Sequence, residues 1–190
     1  MIVFYRTLIN IILLISPLII LTRIIKKKEH PARFKEKLCF FSKKKIKKNL
    51  IWFHGASVGE ILSVIPLIEK FEKDKNIHQI LITSNTLSSS KIINGLRLKK
   101  TIHQFFPIDN DYFSKKFLAY WKPKIAVFID SEIWPNMILN VKKKKIPLIL
   151  LNGRINKKSF HKWKKLNRLH NFYSVNLIYV TPQVKSQIFI

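Results

Sequence analysis

Short apolar runs alternate with amphipathic segments along most of the chain, and this alternation restricts the fold more than any other feature. The runs are rich in Ile and Val, as is typical of parallel strands buried on both faces. They predict strands at residues 50–54, 77–83, 125–130, 147–152 and 177–181, with a weaker one at 102–106. Segments with helical spacing lie between them, at residues 61–71, 90–98, 112–121, 134–141 and 160–172. The alternation predicts an α/β fold: a Rossmann-like parallel sheet with helices on both faces.

An apolar segment at residues 1–25 precedes this pattern and predicts an N-terminal membrane-anchor helix. Its main apolar part, residues 8–21, is short for the roughly 20 residues of a spanning helix, so spanning the bilayer and lying in its interface both stay open. A signal peptide is a third interpretation, but no small-x-small cleavage site follows. A basic cluster follows instead and favours the cytoplasmic face, beside anionic headgroups: Arg23, Lys26, Lys27, Lys28 and Arg33.

The net charge of +26, from 36 Lys and Arg against 10 Asp and Glu, indicates affinity for polyanions. Lys, Ile and Asn are frequent throughout, so a compositional bias towards AT-rich codons explains the excess equally well. A nucleic-acid-binding protein has this charge, but the anchor segment and the lack of an interleaved basic–aromatic motif argue against it. We therefore expect anionic membrane lipids as partners and no nucleic acid.

The chain divides into three regions by composition. Residues 1–25 are the anchor, residues 26–48 a basic connector with a short helix through Phe34 and Leu38, and residues 49–190 the Rossmann-like domain. The single cysteine, Cys39, excludes an internal disulfide and Cys-rich metal sites. Neither a phosphate-binding glycine motif nor a Cys/His cluster is present, so we expect no metal and no cofactor.

The loops that lead from strand to helix hold most of the reactive side chains, whereas the loops from helix to strand are rich in lysine. Strand-to-helix loops all emerge at the carboxyl edge of a parallel sheet, where open α/β folds bind ligands. The candidate site residues in these loops are His54, Ser57, Gly59, Glu60, Thr83, Asp130, Glu132, Asn152 and Arg154.

The sharpest of these loops is H-G-A-S-V-G-E at residues 54–60. Its glycines permit tight turning and close approach of the backbone to a ligand, and the following helix offers free N–H groups to an anion. Ser57 and Glu60 also have the spacing of a capping box, in which both side chains only satisfy the helix start. Local sequence leaves capping and catalysis open, and His54 at a strand end is equally compatible with a structural role.

The segment D-S-E-I-W-P-N at residues 130–136 repeats this layout. One acid is explained by a helix start, whereas the pair Asp130 and Glu132 also suits the orientation of hydroxyl groups or the sharing of a proton. Arg154, in N-G-R at residues 152–154, has the planar fork that binds phosphate or carboxylate.

In this order the three motifs resemble the Kdo (3-deoxy-D-manno-octulosonic acid) transferase family of lipopolysaccharide synthesis. The resemblance implies a GT-B glycosyltransferase that moves Kdo from CMP-Kdo to the lipid A precursor at the cytoplasmic face of the inner membrane, without a metal. It implies that Glu60 is the general base and that Glu132 is a second important acid of the acceptor site. Asp130 stands where the family usually has Glu, and Gly153 where it usually has Ala.

The resemblance also implies a second Rossmann-like domain that binds CMP-Kdo, and residues 49–190 correspond only to the first, acceptor-binding domain. A fragment, a donor domain on another chain and a decayed gene all agree with this length. The family resemblance therefore predicts either the acceptor-binding half of the enzyme or a non-catalytic lipid-binding remnant of the same fold.

Overall fold

The computed structural model describes residues 2–46, 49–130 and 134–152, together with the backbone of residues 177–180. Helix α1 spans Ile2–Ile25, and a 3-10 helix, η1, spans Arg33–Leu38. The elements that follow are β1 (Leu50–His54), α2 (Val58–Lys73), β2 (Gln79–Ser84), α3 (Leu87–Gly95), β3 (Thr101–Phe105), α4 (Asp111–Trp121), β4 (Ile125–Ile129), α5 (Pro135–Lys143), β5 (Leu148–Leu151) and β6 (Leu177–Val180).

The six strands form one parallel sheet in the order β3-β2-β1-β4-β5-β6. This is the strand order of the Rossmann fold, in which the chain reverses direction across the sheet between β1 and β4. Strands β1 and β2 are buried at every position, as the continuous apolar runs require. The predicted fold class is confirmed.

Helices cover both faces of the sheet because alternate strand residues point to opposite sides. On one face, Trp52 and Phe128 pack against Phe117 and Trp121 of α4 and against Met137 of α5. On the other face, alternate residues of β1, β2 and β4 pack against α2 and α3; they are Ile51, Phe53, Ile80, Ile82, Val127 and Ile129. Two apolar cores of this kind fix the strand register, since a slip of one residue would exchange the faces.

The structure moves the starts of two helices relative to the sequence pattern. Helix α2 begins at Val58 rather than at residue 61, and α3 begins at Leu87 rather than at residue 90. Apolar spacing marks where a helix becomes buried, whereas Ser57 and Thr86 cap the first turns, which are more exposed. The helix predicted at residues 160–172 lies outside the described residues.

Residues 29–46, part of the predicted connector, pack against the domain. Glu36 is almost fully buried and accepts hydrogen bonds from the Arg33 guanidinium (2.7 and 3.0 Å), from the Phe105 backbone N–H (2.8 Å) and from the Ser42 hydroxyl. Cys39 belongs to the core beside α4, and burial raises the pKa of its thiol to about 12. The short helix η1 begins at Arg33, two residues after Pro31.

Candidate active site at the carboxyl edge of the sheet

The carboxyl ends of β2, β1, β4 and β5 lie side by side in the sheet. His54 is paired with Thr83 on one side and with Phe128 on the other, and Ile129 is paired with Leu151. Asp130 and Asn152 directly follow the latter two strands, and Ser57, Gly59 and Glu60 form the start of α2. The structure thus brings seven of the predicted site residues to one edge; Glu132 and Arg154 lie outside the described residues.

The start of α2 is a variant of the predicted capping box: Ser57 caps the Glu60 N–H as the motif requires, whereas the Glu60 carboxylate binds the N–H of Ala56 and the hydroxyl of Ser57. The Ser57 hydroxyl oxygen accepts from the Glu60 backbone N–H (3.3 Å), and the same hydroxyl donates to Glu60 Oε1 (2.8 Å). Glu60 Oε2 accepts from the Ala56 backbone N–H at 2.7 Å. Each carboxylate oxygen has two acceptor positions, so this capping leaves the carboxylate able to accept a further proton donor.

The two glycines of this loop differ in what surrounds them. A Cβ on Gly55 would lie 3.1 Å from Glu60 Cβ, 3.1 Å from Ile61 Cδ1 and 3.2 Å from Ile129 Cδ1. Gly55 therefore lets α2 approach the sheet closely. A Cβ on Gly59 would meet nothing within 4 Å among the described residues, and Gly59 is exposed. Packing in the described structure gives no reason for glycine at position 59.

His54 and Thr83 lie beneath the surface of the edge, and both are fully buried. The Thr83 hydroxyl accepts from Trp52 Nε1 (2.9 Å) and lies 3.0 Å from His54 Nδ1, which is also 3.2 Å from the Thr83 carbonyl oxygen. Because a carbonyl oxygen only accepts, Nδ1 is the donor in its contact with the Thr83 carbonyl. Thr83 thus sets the orientation of His54.

An aromatic wall adjoins His54. The His54 ring stacks on the Phe106 ring with centroids 3.8 Å apart. The centroid of the Trp134 ring lies 5.2 Å from that of Phe106 and 6.2 Å from that of His54. Trp134 is partly exposed and belongs to the 130–136 motif. Phe106 was not predicted as a site residue, because only the folded chain shows that it faces the end of β1.

Asp130 and Asn152 leave their strands in the left-handed conformation, with φ of 60° and 55°. The Asp130 backbone N–H donates to the Leu151 carbonyl at 2.8 Å, which holds the two exits together. Asp and Asn adopt this conformation more readily than other non-glycine residues. A backbone requirement thus accompanies the polar side chains at both positions.

Asp109 holds the start of α5 from a distant loop. Its carboxylate accepts from the Asn136 backbone N–H (3.0 Å) and the Met137 backbone N–H (2.8 Å), and its carbonyl accepts from the Asn136 side-chain amide (2.6 Å). Trp134, the residue at the N-cap, makes no side-chain capping bond. Burial raises the pKa of Asp109, against the lowering by these hydrogen bonds.

Helix α1 reaches the same cluster, a contact that sequence reasoning missed. Tyr5 Oη donates to Asp109 Oδ2 (2.8 Å), and Arg6 donates to Asn136 Oδ1 (2.9 Å) and to Asp111 Oδ1 (2.8 Å). The only available signal was a tyrosine and an arginine within an otherwise apolar segment. We call Tyr5, Arg6, Asp109, Asp111 and Asn136 the anchor hub.

The described residues contain no group of three or more His, Cys, Asp or Glu side chains that could hold a metal ion. The edge instead offers a carboxylate at a helix start, a buried imidazole oriented by Thr83 and an aromatic wall. A carboxylate beside free helix N–H groups suits proton transfer from a hydroxyl group of a polar or anionic ligand.

A family model described as 3-deoxy-D-manno-octulosonic-acid transferase (kdotransferase) matches residues 32–188. The 3-deoxy-D-manno-octulosonic acid transferase of Rickettsia bellii (strain RML369-C) is 41% identical over 147 residues, which cover 77% of this chain and 35% of the relative. The probable mitochondrial 3-deoxy-D-manno-octulosonic acid transferase of Arabidopsis thaliana is 36% identical over 152 residues, 78% of this chain and 34% of the relative. The transferase of Chlamydia pneumoniae is 31% identical over 145 residues, 74% and 33%.

The chain thus spans about a third of the length of these relatives. The match to the family model covers nearly the whole of the described domain and includes the three motifs at residues 54–60, 130–136 and 152–154. By its sequence the chain belongs to the Kdo transferase family, of which it carries the N-terminal domain, and this domain has a Rossmann-like sheet.

Proposed function

We propose that this chain forms the acceptor-binding part of a glycosyltransferase that moves Kdo from CMP-Kdo to the lipid A precursor. The observation that carries the proposal is the position of Glu60 at the start of α2. Two hydrogen bonds hold its carboxylate at the edge of the sheet, and each carboxylate oxygen can still accept another hydrogen bond. Family membership supports the reaction, and the position of the edge supports the acceptor site. CMP-Kdo binds to a second domain in this proposal.

Glu60 acts as the general base for the acceptor hydroxyl. Its hydrogen bonds to the Ala56 N–H and the Ser57 hydroxyl hold the carboxylate in one orientation, and a positioned base is what proton abstraction needs. Capping and catalysis are compatible because the capping bonds occupy only part of the carboxylate. Ser57 then positions the base, and Gly59 leaves room for the acceptor to approach the helix start.

The remaining site residues divide into a buried and an exposed set. Thr83 orients His54, whose Nε2 faces away from the Thr83 contact. Asp130, Glu132, Asn152 and Arg154 bind the acceptor in this proposal, the acids through its hydroxyl groups and Arg154 through a phosphate. No metal or cofactor takes part in the proposed reaction.

The proposed location is the cytoplasmic face of the inner membrane. Helix α1 is the one helix among the described residues that is long and apolar enough to cross a membrane. The net charge of +26 suits both anionic lipids and a phosphorylated lipid acceptor. Nucleic acid is not among the proposed partners.

The test is a fusion of this chain to the remaining two thirds of the Rickettsia bellii relative. Transfer of labelled Kdo from CMP-Kdo to the lipid A precursor is measured for the unaltered fusion and for Glu60→Gln. Gln also serves at this position of a capping box but is no base, so we expect transfer to fall at least ~10²-fold with an unchanged melting temperature. Glu69→Gln, an exposed change in the same helix, is the control.

Near-normal transfer by Glu60→Gln would show that another group is the base. An inactive unaltered fusion that still binds the lipid A precursor would support the non-catalytic, lipid-binding alternative. Acceptor binding by the chain itself should weaken as salt increases, because screening reduces the attraction between lysines and phosphates.

A further inference from the structure

Helix α1 is more exposed on one side than on the other along its whole length. Phe4 (77%), Leu14 (82%), Leu18 (66%) and Ile25 (71%) are the most exposed large side chains of the helix apart from Val3. The less exposed positions recur at helical spacing on the opposite side: Ile2, Tyr5, Arg6, Ile9, Leu13, Ser16, Ile20, Arg23 and Ile24. An isolated helix would expose similar side chains equally all round, so this periodicity means that protein covers one side.

Both ends of α1 are held at the protein surface by polar contacts. At the start, Tyr5 and Arg6 belong to the anchor hub, and Asn10 accepts a hydrogen bond from the Asn110 side-chain amide (2.8 Å). At the end, Arg23 pairs with Glu29 at 3.2 Å. Glu29 is buried and also pairs with Lys37 of η1.

These contacts leave too little helix to cross a bilayer. Between Asn10 and Arg23 lie residues 11–22, which at 1.5 Å per residue extend about 18 Å. The hydrocarbon core is about 30 Å thick. A spanning orientation would therefore carry the anchor hub, with its two carboxylates, into the hydrocarbon, where unscreened polar groups are strongly unfavourable.

The exposed side of α1 has the chemistry of a lipid-facing surface with a basic border. Its exposed apolar residues form a continuous strip from Val3 to Ile25, and the exposed Lys26, Lys27 and Lys28 follow directly. Lysines next to an apolar helix attract anionic headgroups. In an anionic membrane the acyl chains would contact the apolar strip and the headgroups would attract the lysines.

We propose that α1 lies flat in the headgroup–acyl boundary of an anionic membrane, with the strip of Phe4, Leu14, Leu18 and Ile25 facing the lipid. The anchor hub then holds the carboxyl edge of the sheet at the membrane surface, because Asp109 and Asn136 bind both α1 and the start of α5. The flat orientation is argued from the polar contacts at both ends of α1 and from its exposed apolar strip, independently of any catalytic activity. That this orientation would bring a lipid-borne acceptor to Glu60 rests on the proposed function.

The test measures the depth of spin labels on the full chain in phosphatidylethanolamine–phosphatidylglycerol vesicles. Single cysteines replace Phe4, Leu14 or Ile25. Ser63→Cys, at an exposed position of α2, is the reference for a label in water. The native Cys39 is buried, and because burial raises the pKa of its thiol to about 12, it stays unlabelled at neutral pH. A flat helix predicts equal depths at all three positions, about 5–10 Å into the boundary.

A spanning helix would give a different pattern and overturn the proposal. Leu14 would then be deepest, and in sealed vesicles an impermeant maleimide would reach Phe4→Cys and Ile25→Cys from opposite sides. Labels that remain as water-exposed as Ser63→Cys, or a chain that fails to float with the vesicles, would also overturn it. Since no Kdo transfer is measured, an inactive enzyme with equal label depths would contradict only the proposed function.

Discussion

The two helix starts at the carboxyl edge are stabilised in different ways. At α2, Ser57 accepts from the Glu60 N–H of the first turn, and Glu60 accepts from the Ala56 N–H just before the helix. At α5, the residue at the N-cap makes no side-chain capping bond, and Asp109, from the loop after β3, accepts from the Asn136 and Met137 N–H groups instead. The first start is local in sequence, whereas the second needs the loop after β3 to pack against α5, and α1 binds the same Asp109.

The two helix starts therefore differ in how far a structural change elsewhere in the molecule affects them. A capping box forms with its own helix and responds little to the rest of the molecule. The start of α5 shares Asp109 with Tyr5, so a change at α1 can affect the first turn of α5 at Asn136 and Met137. The proposed base, Glu60, therefore lies at the local start, and the proposed acceptor-binding residue Asp130 precedes the start of α5 along the chain.

The largest expected effect is the loss of the distant cap. Asp109→Ala removes the carboxylate that accepts from the two buried N–H groups of Asn136 and Met137 and that also binds Tyr5, so we expect the free energy of unfolding to fall by about 2–4 kcal/mol. Urea unfolding measures it, with Ser57→Ala as the matched loss of a local cap. An effect of Asp109→Ala no larger than that of Ser57→Ala would contradict the comparison.

A second long-range contact should make stability depend on pH. His103 is buried between Arg33, which can only donate to Nδ1 (3.0 Å), and Ser84 (2.8 Å). Burial, and then the charges of Arg33 and Lys43, lower the pKa of His103 from 6.5 to about 3.

Between pH 6.5 and 3 the unfolded chain therefore binds one more proton, at His103, than the folded protein does. The free energy of unfolding is unaffected by His103 above about pH 6.5 and decreases as the pH falls below this value. We expect a loss of about 1.5 kcal/mol from pH 6.5 to about pH 5. The measurement is the difference in unfolding free energy between the unaltered chain and His103→Gln across this range. Parallel pH profiles would show that His103 is protonated in the folded protein.

Loss of the local cap should have a smaller effect. Ser57→Ala removes the acceptor for the Glu60 N–H at an exposed helix start, which should destabilise the protein by about 1 kcal/mol. Thermal unfolding measures the change, and Ser63→Ala in the same helix is the control. A loss as large as that expected for Asp109→Ala would mean that this start is not autonomous.

The smallest expected effect has the opposite sign. Gly59→Ala places a Cβ in open space within a helix turn, so it should stabilise the chain by about 0.5–1 kcal/mol. In the fusion it should nevertheless reduce transfer, because the proposed acceptor approaches this backbone. Gly55→Ala is the matched control, since its Cβ would lie 3.1 Å from Glu60 Cβ and should destabilise the protein. Unchanged transfer by Gly59→Ala would remove Gly59 from the proposed site.

The sequence by itself determined the strands, the parallel sheet and the edge at which the motifs meet. Buried parallel strands are continuous apolar runs, and the loops that follow them emerge at one edge whatever the packing details. The capping box at Ser57 and Glu60 was equally predictable, because all its partners lie within five residues.

Only the tertiary structure decided the burial of His54 under Phe106, the distant cap from Asp109 and the docking of Tyr5 and Arg6. Each of these contacts joins residues that are far apart along the chain, and no local pattern encodes which distant partner a polar side chain will meet. The apolar content of α1 predicted a helix for the membrane. Its proposed orientation depends on a few polar contacts at its two ends, and those of Tyr5 and Arg6 at its start exist only once the sheet has brought Asp109 and Asn136 together.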